Sequence, residues 1–151
     1  MKIAFYTATR PGLQGLYNRL TRWIDRGPYS HCELIFSDGL SASSSCIDGG
    51  VRFKRIEFDA DHWEIIEVGG DEAAARAWFE MHNGAPYDFM GTARFVFGFL
   101  SNSAGKWFCS EAVAAALGLR EAWRFGPCGL FSVLEKTTSH PAAAGFFTPT
   151  E

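Results

Sequence analysis

Two short stretches carry the side chains best able to do chemistry. Tyr29-Ser30-His31-Cys32-Glu33-Leu34-Ile35-Phe36 sets an imidazole and a carboxylate two residues apart in an apolar run, and Trp107-Phe108-Cys109-Ser110-Glu111 sets a thiol just ahead of several alanines. In an extended strand alternate side chains share a face, so His31 and Glu33 point one way and Cys32 the other. That alternation predicts that His31 and Cys32, although adjacent, do not act on one atom. Cys109 stands where a helix over FCSEAVAAALGL begins. The unpaired N–H groups and positive dipole end at such a position favour thiolate over thiol. The same N–H groups can receive the negative oxygen that develops when a nucleophile attacks a carbonyl. A thiol and an imidazole on separate elements are the parts of a nucleophilic acyl-transfer site. The plainer alternative is a small buried Cys and a packing His, the reading also given to Cys32, Cys46 and Cys128. A zinc site would need three or four converging ligands. Cys46, His62, His82, Cys128 and His140 show no ligand spacing, so neither metal nor cofactor is expected.

The elements that must position these groups can be read from periodicity. KIAFYTA alternates as a first strand and Arg10-Pro11-Gly12 ends it. Leu13, Leu16, Tyr17, Leu20, Trp23 and Ile24 recur at helical spacing and predict an amphipathic helix with that stripe toward the core, stopped by Gly27-Pro28. SHCELIF, LSASSSCI, VRFKRIEF and WEIIEV read as four further short strands, separated by Asp38-Gly39 and Gly49-Gly50 turns. Asp71 opens a helix over EAAARAWFEMH that Asn83-Gly84 closes. YDFMGTARFVFGFL is aromatic-rich and helical in spacing, and a final helix is expected in LFSVLEK after Pro127-Cys128-Gly129. Strands gathered first and helices later predict an α+β domain with an antiparallel sheet packed against helices.

The whole chain of 151 residues, 47% hydrophobic, is long enough for one core and short for two, so residues 1–151 are expected to form a single domain with a loosely held tail from about residue 137. A formal charge of −3 gives no basic surface for nucleic acid, and none is expected as a partner. No stretch reaches the roughly 18 continuous apolar residues of a membrane span, and MKIAFYTATRPG lacks the apolar core of a signal peptide. A cytoplasmic location follows as the expectation, with a phage-borne chain, or one released by another protein, as the variant.

Taken in order, YSHCELIF, GGVRF, PYDFMG, KWFCSEAVAAAL and GPCGLFSVL resemble the landmarks of the circularly permuted members of the NlpC-type papain-like superfamily of cysteine peptidases, amidases and acyltransferases. In that group the histidine precedes the cysteine, as His31 precedes Cys109 here. The landmarks run from about residue 3 to residue 135. The resemblance implies a papain-like fold, Cys109 as nucleophile and His31 as general base. It implies a hydrolase acting on a peptide, amide or acyl-ester substrate through a thioester. The third, orienting residue commonly lies on the strand after the histidine, where LSASSSCI offers only Ser41, Ser43 or Ser45, so Glu33 is the charged candidate and Ser43 its alternative. Tyr87 and Asp88 are candidates for lining the substrate cleft, with Asp88 as a helix cap the other reading. Arg52, Lys54 and Arg55 read as solvated strand charges, or as contacts for an acidic substrate. Phe89, Phe95, Phe97 and Phe99 read as core, or in part as an apolar groove. Two rival functions are an acyltransferase resembling the lecithin:retinol acyltransferase branch, and a binding domain that keeps the fold without activity.

Overall fold

The computed structural model describes residues 1–9, 11–89 and 105–139. Five strands, β1 (Lys2–Tyr6), β2 (His31–Ile35), β3 (Ser41–Ser45), β4 (Gly50–Lys54) and β5 (Trp63–Glu67), form one antiparallel sheet in the order β4-β3-β2-β1-β5. Four α-helices lie among the described residues: α1 (Gly12–Asp25), α2 (Glu72–His82), α3 (Cys109–Ala116) and α4 (Pro127–Ser139). The domain is α+β. From residue 90 the aromatic stretch with Phe95, Phe97 and Phe99 lies outside the described residues, as does His140.

Register explains the two faces of the sheet. Ile3, Phe5, Cys32, Leu34, Ala42 and Val51 share the core face, where α2, α3 and α4 join the same apolar cluster through Phe79, Val113 and Leu130. Tyr6, His31, Glu33, Ser43, Arg52 and Trp63 share the other face. Helix α3 packs on β2 and β3, which its buried Ala112, Ala114 and Ala116 allow at close range.

Part of the apolar stripe of the first helix faces outward. The helical stripe predicts Leu16, Leu20 and Trp23 in the core, yet they are 64%, 46% and 73% exposed, while Asn18 and Thr21 are buried. Polar tethers decide the mounting: the Asn18 amide donates to Ser30 Oγ at 3.0 Å, and the Arg22 guanidinium donates to the Thr7 carbonyl and the Thr9 hydroxyl. A helix with one apolar and one polar stripe can be mounted either way when the wall it meets offers hydrogen-bond partners.

One helix end also differs from the sequence reading. Helix α4 starts at Pro127, before the LFSVLEK stretch, because the Asp25 carboxylate accepts the Cys128 N–H at 2.6 Å and so satisfies one of the donors a helix start leaves open. It runs on to Ser139. Asp71 caps α2 as expected, accepting from Ala74 N–H at 3.0 Å.

Gly50 joins the sheet to the segment before the candidate nucleophile. It forms a bridge with Pro86, and a Cβ built there would sit 2.0 Å from the Ala85 carbonyl oxygen. Backbone cannot move aside as a side chain can, so Gly50→Ala is expected to lower stability by about 1–3 kcal/mol, read as a shift of the urea midpoint at unchanged slope.

Candidate active site

The site is built where two strands diverge. β2 and β3 pair only through Leu34↔Ala42 and Ile35↔Ser41, although β3 runs on to Ser45 alongside β4. Beyond Leu34 the outward-facing backbone groups of β2 therefore need other partners. Ser43 Oγ donates to the Cys32 carbonyl at 2.7 Å, and the Cys32 N–H donates to the Cys109 sulfur. The first residue of α3 thus takes a place that a neighbouring strand would otherwise fill.

This opening overturns one expectation from strand alternation. His31 and Cys32 do lie on opposite faces, yet both reach the same atom, because Cys109 Sγ stands in the gap between strands. It is hydrogen-bonded to the His31 ring and to the Cys32 thiol. His31 uses Nε2 for Glu33 Oε1, at 2.8 Å, which leaves Nδ1 for the sulfur. Glu33 is 1% exposed and takes a forked pair of hydrogen bonds from Arg52, Nη1 to Oε2 at 2.7 Å and Nη2 to Oε1 at 2.5 Å. Arg52 Nε donates in turn to Asp48 Oδ2 at 2.8 Å.

Charges alternate along this line. The Cys32 thiol donates to Cys109, and this bond together with the His31 charge outweighs burial and holds the Cys109 thiol well below its ordinary range. Burial pushes the Cys32 thiol well up, so it remains a neutral donor. Burial opposes a charged imidazole at His31, but the neighbouring thiolate and the bonds to Cys109 and Glu33 prevail, and its pKa is raised to about 9. Burial likewise works against the Glu33 carboxylate, and the bonds from Arg52 and His31 more than offset it, so its pKa is lowered. The shifts favour thiolate, imidazolium, carboxylate and guanidinium in that order along the line.

A cavity of about 270 Å³ opens beside the imidazole. His31, Glu33, Arg52, Tyr6, Trp63 and Tyr87 are among its lining residues, while Cys109, 4% exposed, is not. The side chain of His31 is 20% exposed. Of the two cleft candidates, Tyr87 lines this cavity and Asp88 does not. Asp88 is fully buried with no partner for either carboxylate oxygen among the described residues, and the N–H groups it would cap, at 90 and 91, lie outside them. Ser43, the alternative orienter, is bonded to the Cys32 carbonyl and to no imidazole nitrogen. Lys54 pairs with Asp48 at 3.0 Å and Arg55 donates to the Asp38 carbonyl at 3.1 Å.

Arg52 is the residue that the sequence reading missed. Its parity on β4 was legible, but reading it as solvated overlooked a buried carboxylate that needs a cation. The remaining described histidines stand apart: His62 Nδ1 bonds Asp59 Oδ1 at 2.6 Å and His82 Nδ1 bonds the Trp78 carbonyl at 2.8 Å. Among the described residues no three His, Cys, Asp or Glu side chains converge so as to hold a metal ion, and no helix is long and apolar enough to cross a membrane.

No protein-family model matches the chain, and no curated protein matches it significantly.

Proposed function

We propose that this protein is a cysteine hydrolase, of the papain-like and circularly permuted NlpC-like type, that cleaves an amide or ester bond through a thioester on Cys109. The observation that supports this reading most is the unbroken chain of contacts from the Cys109 sulfur through His31 and Glu33 to Arg52. It supplies a nucleophile in its reactive form, a base with a fixed ring, and an acid that fixes it.

In the proposed reaction the Cys109 thiolate attacks the carbonyl carbon. The C–S bond forms and the carbonyl electron pair moves to oxygen, which the N–H groups at the start of α3 stabilise. His31 gives its proton to the departing amine or alkoxide as the carbon–heteroatom bond breaks, leaving a thioester. Neutral His31 then takes a proton from water, whose oxygen attacks the thioester. The acid departs, the C–S bond breaks, and the imidazolium and thiolate are restored. Glu33 keeps Nε2 protonated throughout, so that Nδ1 faces the sulfur. The setting proposed is cytoplasmic or phage-borne, in keeping with four free cysteines.

The reading is tested with p-nitrophenyl acetate, followed by intact mass and peptide mapping. The expected product is an acetyl group on Cys109 that forms and is hydrolysed near neutral pH, and that does not appear on Cys109→Ala. Acetylation confined to other residues, or equal among the four cysteines, would remove the proposed activity.

A further inference from the structure

The outer face of α1 has no role in the chemistry above, and it is built for contact. Leu16, Leu20 and Trp23 follow one another at spacings of four and three residues, so they form one stripe along the helix, and all are largely exposed. Arg19 and Arg26, both exposed, flank this stripe. The one carboxylate of the helix, Asp25, is turned away to bond the Cys128 N–H. Among the described side chains, the outer surface of α1 is therefore apolar and basic, on a chain whose overall charge is −3.

We infer that the outer face of α1 docks on an anionic lipid surface, with Leu16, Leu20 and Trp23 entering the headgroup boundary and Arg19 and Arg26 meeting lipid phosphates. Interfacial helices combine an apolar stripe, a large aromatic and basic flanks in this way. A second copy of the chain fits less well. Three side chains, one an aromatic of the 150–250 Å² class, fall short of the roughly 800 Å² per partner that a stable interface buries. They are sufficient for reversible attachment to a bilayer. The inner face of the same helix contributes Asn18 to the wall of the cavity beside His31, so docking holds that cavity close to the lipid surface. The inference stands apart from the proposed hydrolysis, since attachment needs neither Cys109 nor His31.

The test is co-sedimentation of the full chain with vesicles of phosphatidylcholine and phosphatidylglycerol in equal parts, against phosphatidylcholine alone. The chain is expected to prefer the anionic vesicles by roughly tenfold or more, the advantage two basic side chains give near a charged bilayer. Arg19→Gln with Arg26→Asn should erase that preference, and Leu16→Ser with Leu20→Ser and Trp23→Ser should abolish binding with Tm unchanged. Cys109→Ala should bind as the parent chain does. Failure to bind anionic vesicles overturns the inference, and so does binding indifferent to these substitutions. A self-association dispersed by Trp23→Ser would instead identify the occupant as a second copy. A steep fall in Tm of the triple serine variant would mean that another segment of this chain covers the stripe.

Discussion

His31→Ala slows the alkylation of Cys109 by iodoacetamide at pH 6 by about tenfold or more, because the buried thiol loses the imidazolium charge and keeps only the Cys32 hydrogen bonds to favour its thiolate. In the parent chain Cys109 is held as thiolate by the Cys32 thiol and by the His31 charge, so its rate should change little from neutral into mildly acid solution. An unassisted thiol would lose a factor of ten per pH unit over the same range. Peptide mapping by mass spectrometry separates Cys109 from Cys32, Cys46 and Cys128. A parent profile that falls tenfold per unit below pH 8, or an unchanged rate in His31→Ala, would refute the ion pair.

The same pair shapes stability through two opposite shifts. The folded pKa of His31, about 9, lies above its ordinary 6.5. Its contribution is therefore complete below pH 6.5 and is lost as pH rises through about 9. Cys109 is shifted the opposite way, down from 9.0. Its contribution is complete above pH 9 and is lost as pH falls through the depressed value. The two overlap best from about neutrality to pH 9, where hydrolysis should also be fastest, with a basic limb set by loss of the His31 proton.

Arg52→Ala should lower the unfolding free energy by about 3–5 kcal/mol, the cost of leaving a buried charge without its partner. Glu33 is 1% exposed and takes both guanidinium Nη groups, so without Arg52 its charge rests chiefly on the His31 bond. Its carboxylate would then take up a proton more readily, and the imidazole would lose the acceptor that fixes its Nε2–H. Arg52→Lys should recover only a fraction of the loss, since an ammonium cannot present the two-pronged donor. Glu33→Gln combined with Arg52→Met removes both charges and should be far closer to the parent in stability, while the basic limb of hydrolysis moves to lower pH as His31 loses the Glu33 charge. Urea unfolding of the four chains measures this. A loss below about 1 kcal/mol for Arg52→Ala would show the pair to be no stronger than a surface ion pair.

Much of the site could be read from local pattern. Period-two alternation puts His31 and Glu33 on one face, and the contact at 2.8 Å follows from that parity. The start of α3 at Cys109 follows from a loop with Gly105 giving way to a run of small helix formers. What pattern could not supply was register and mounting. Arg52 meets Glu33 only because the β3–β4 hairpin pairs Ser43 with Arg52 while β2 and β3 remain aligned at Leu34 and Ala42. Cys32 meets Cys109 only because β2 and β3 separate just beyond that aligned pair. Helix α1 had a clear stripe, but the choice of inward face was made by Ser30 and Thr7, residues outside the helix whose positions depend on the sheet.

Strand β3 has a consequence for how the chemistry is tuned. Ser41, Ala42, Ser43, Ser44 and Ser45 are all buried, and the hydroxyls of Ser41, Ser43 and Ser44 are tied to main-chain carbonyls. Nothing larger than a hydroxymethyl group stands on this strand, so along β3 helix α3 rests almost on bare main chain. The separation of sulfur and imidazole is thereby gauged by side chains with no reactivity of their own. One added methylene at Ala42 or Ser44 acts as a shim, lifting the nucleophile away from its base while every reacting group remains in place.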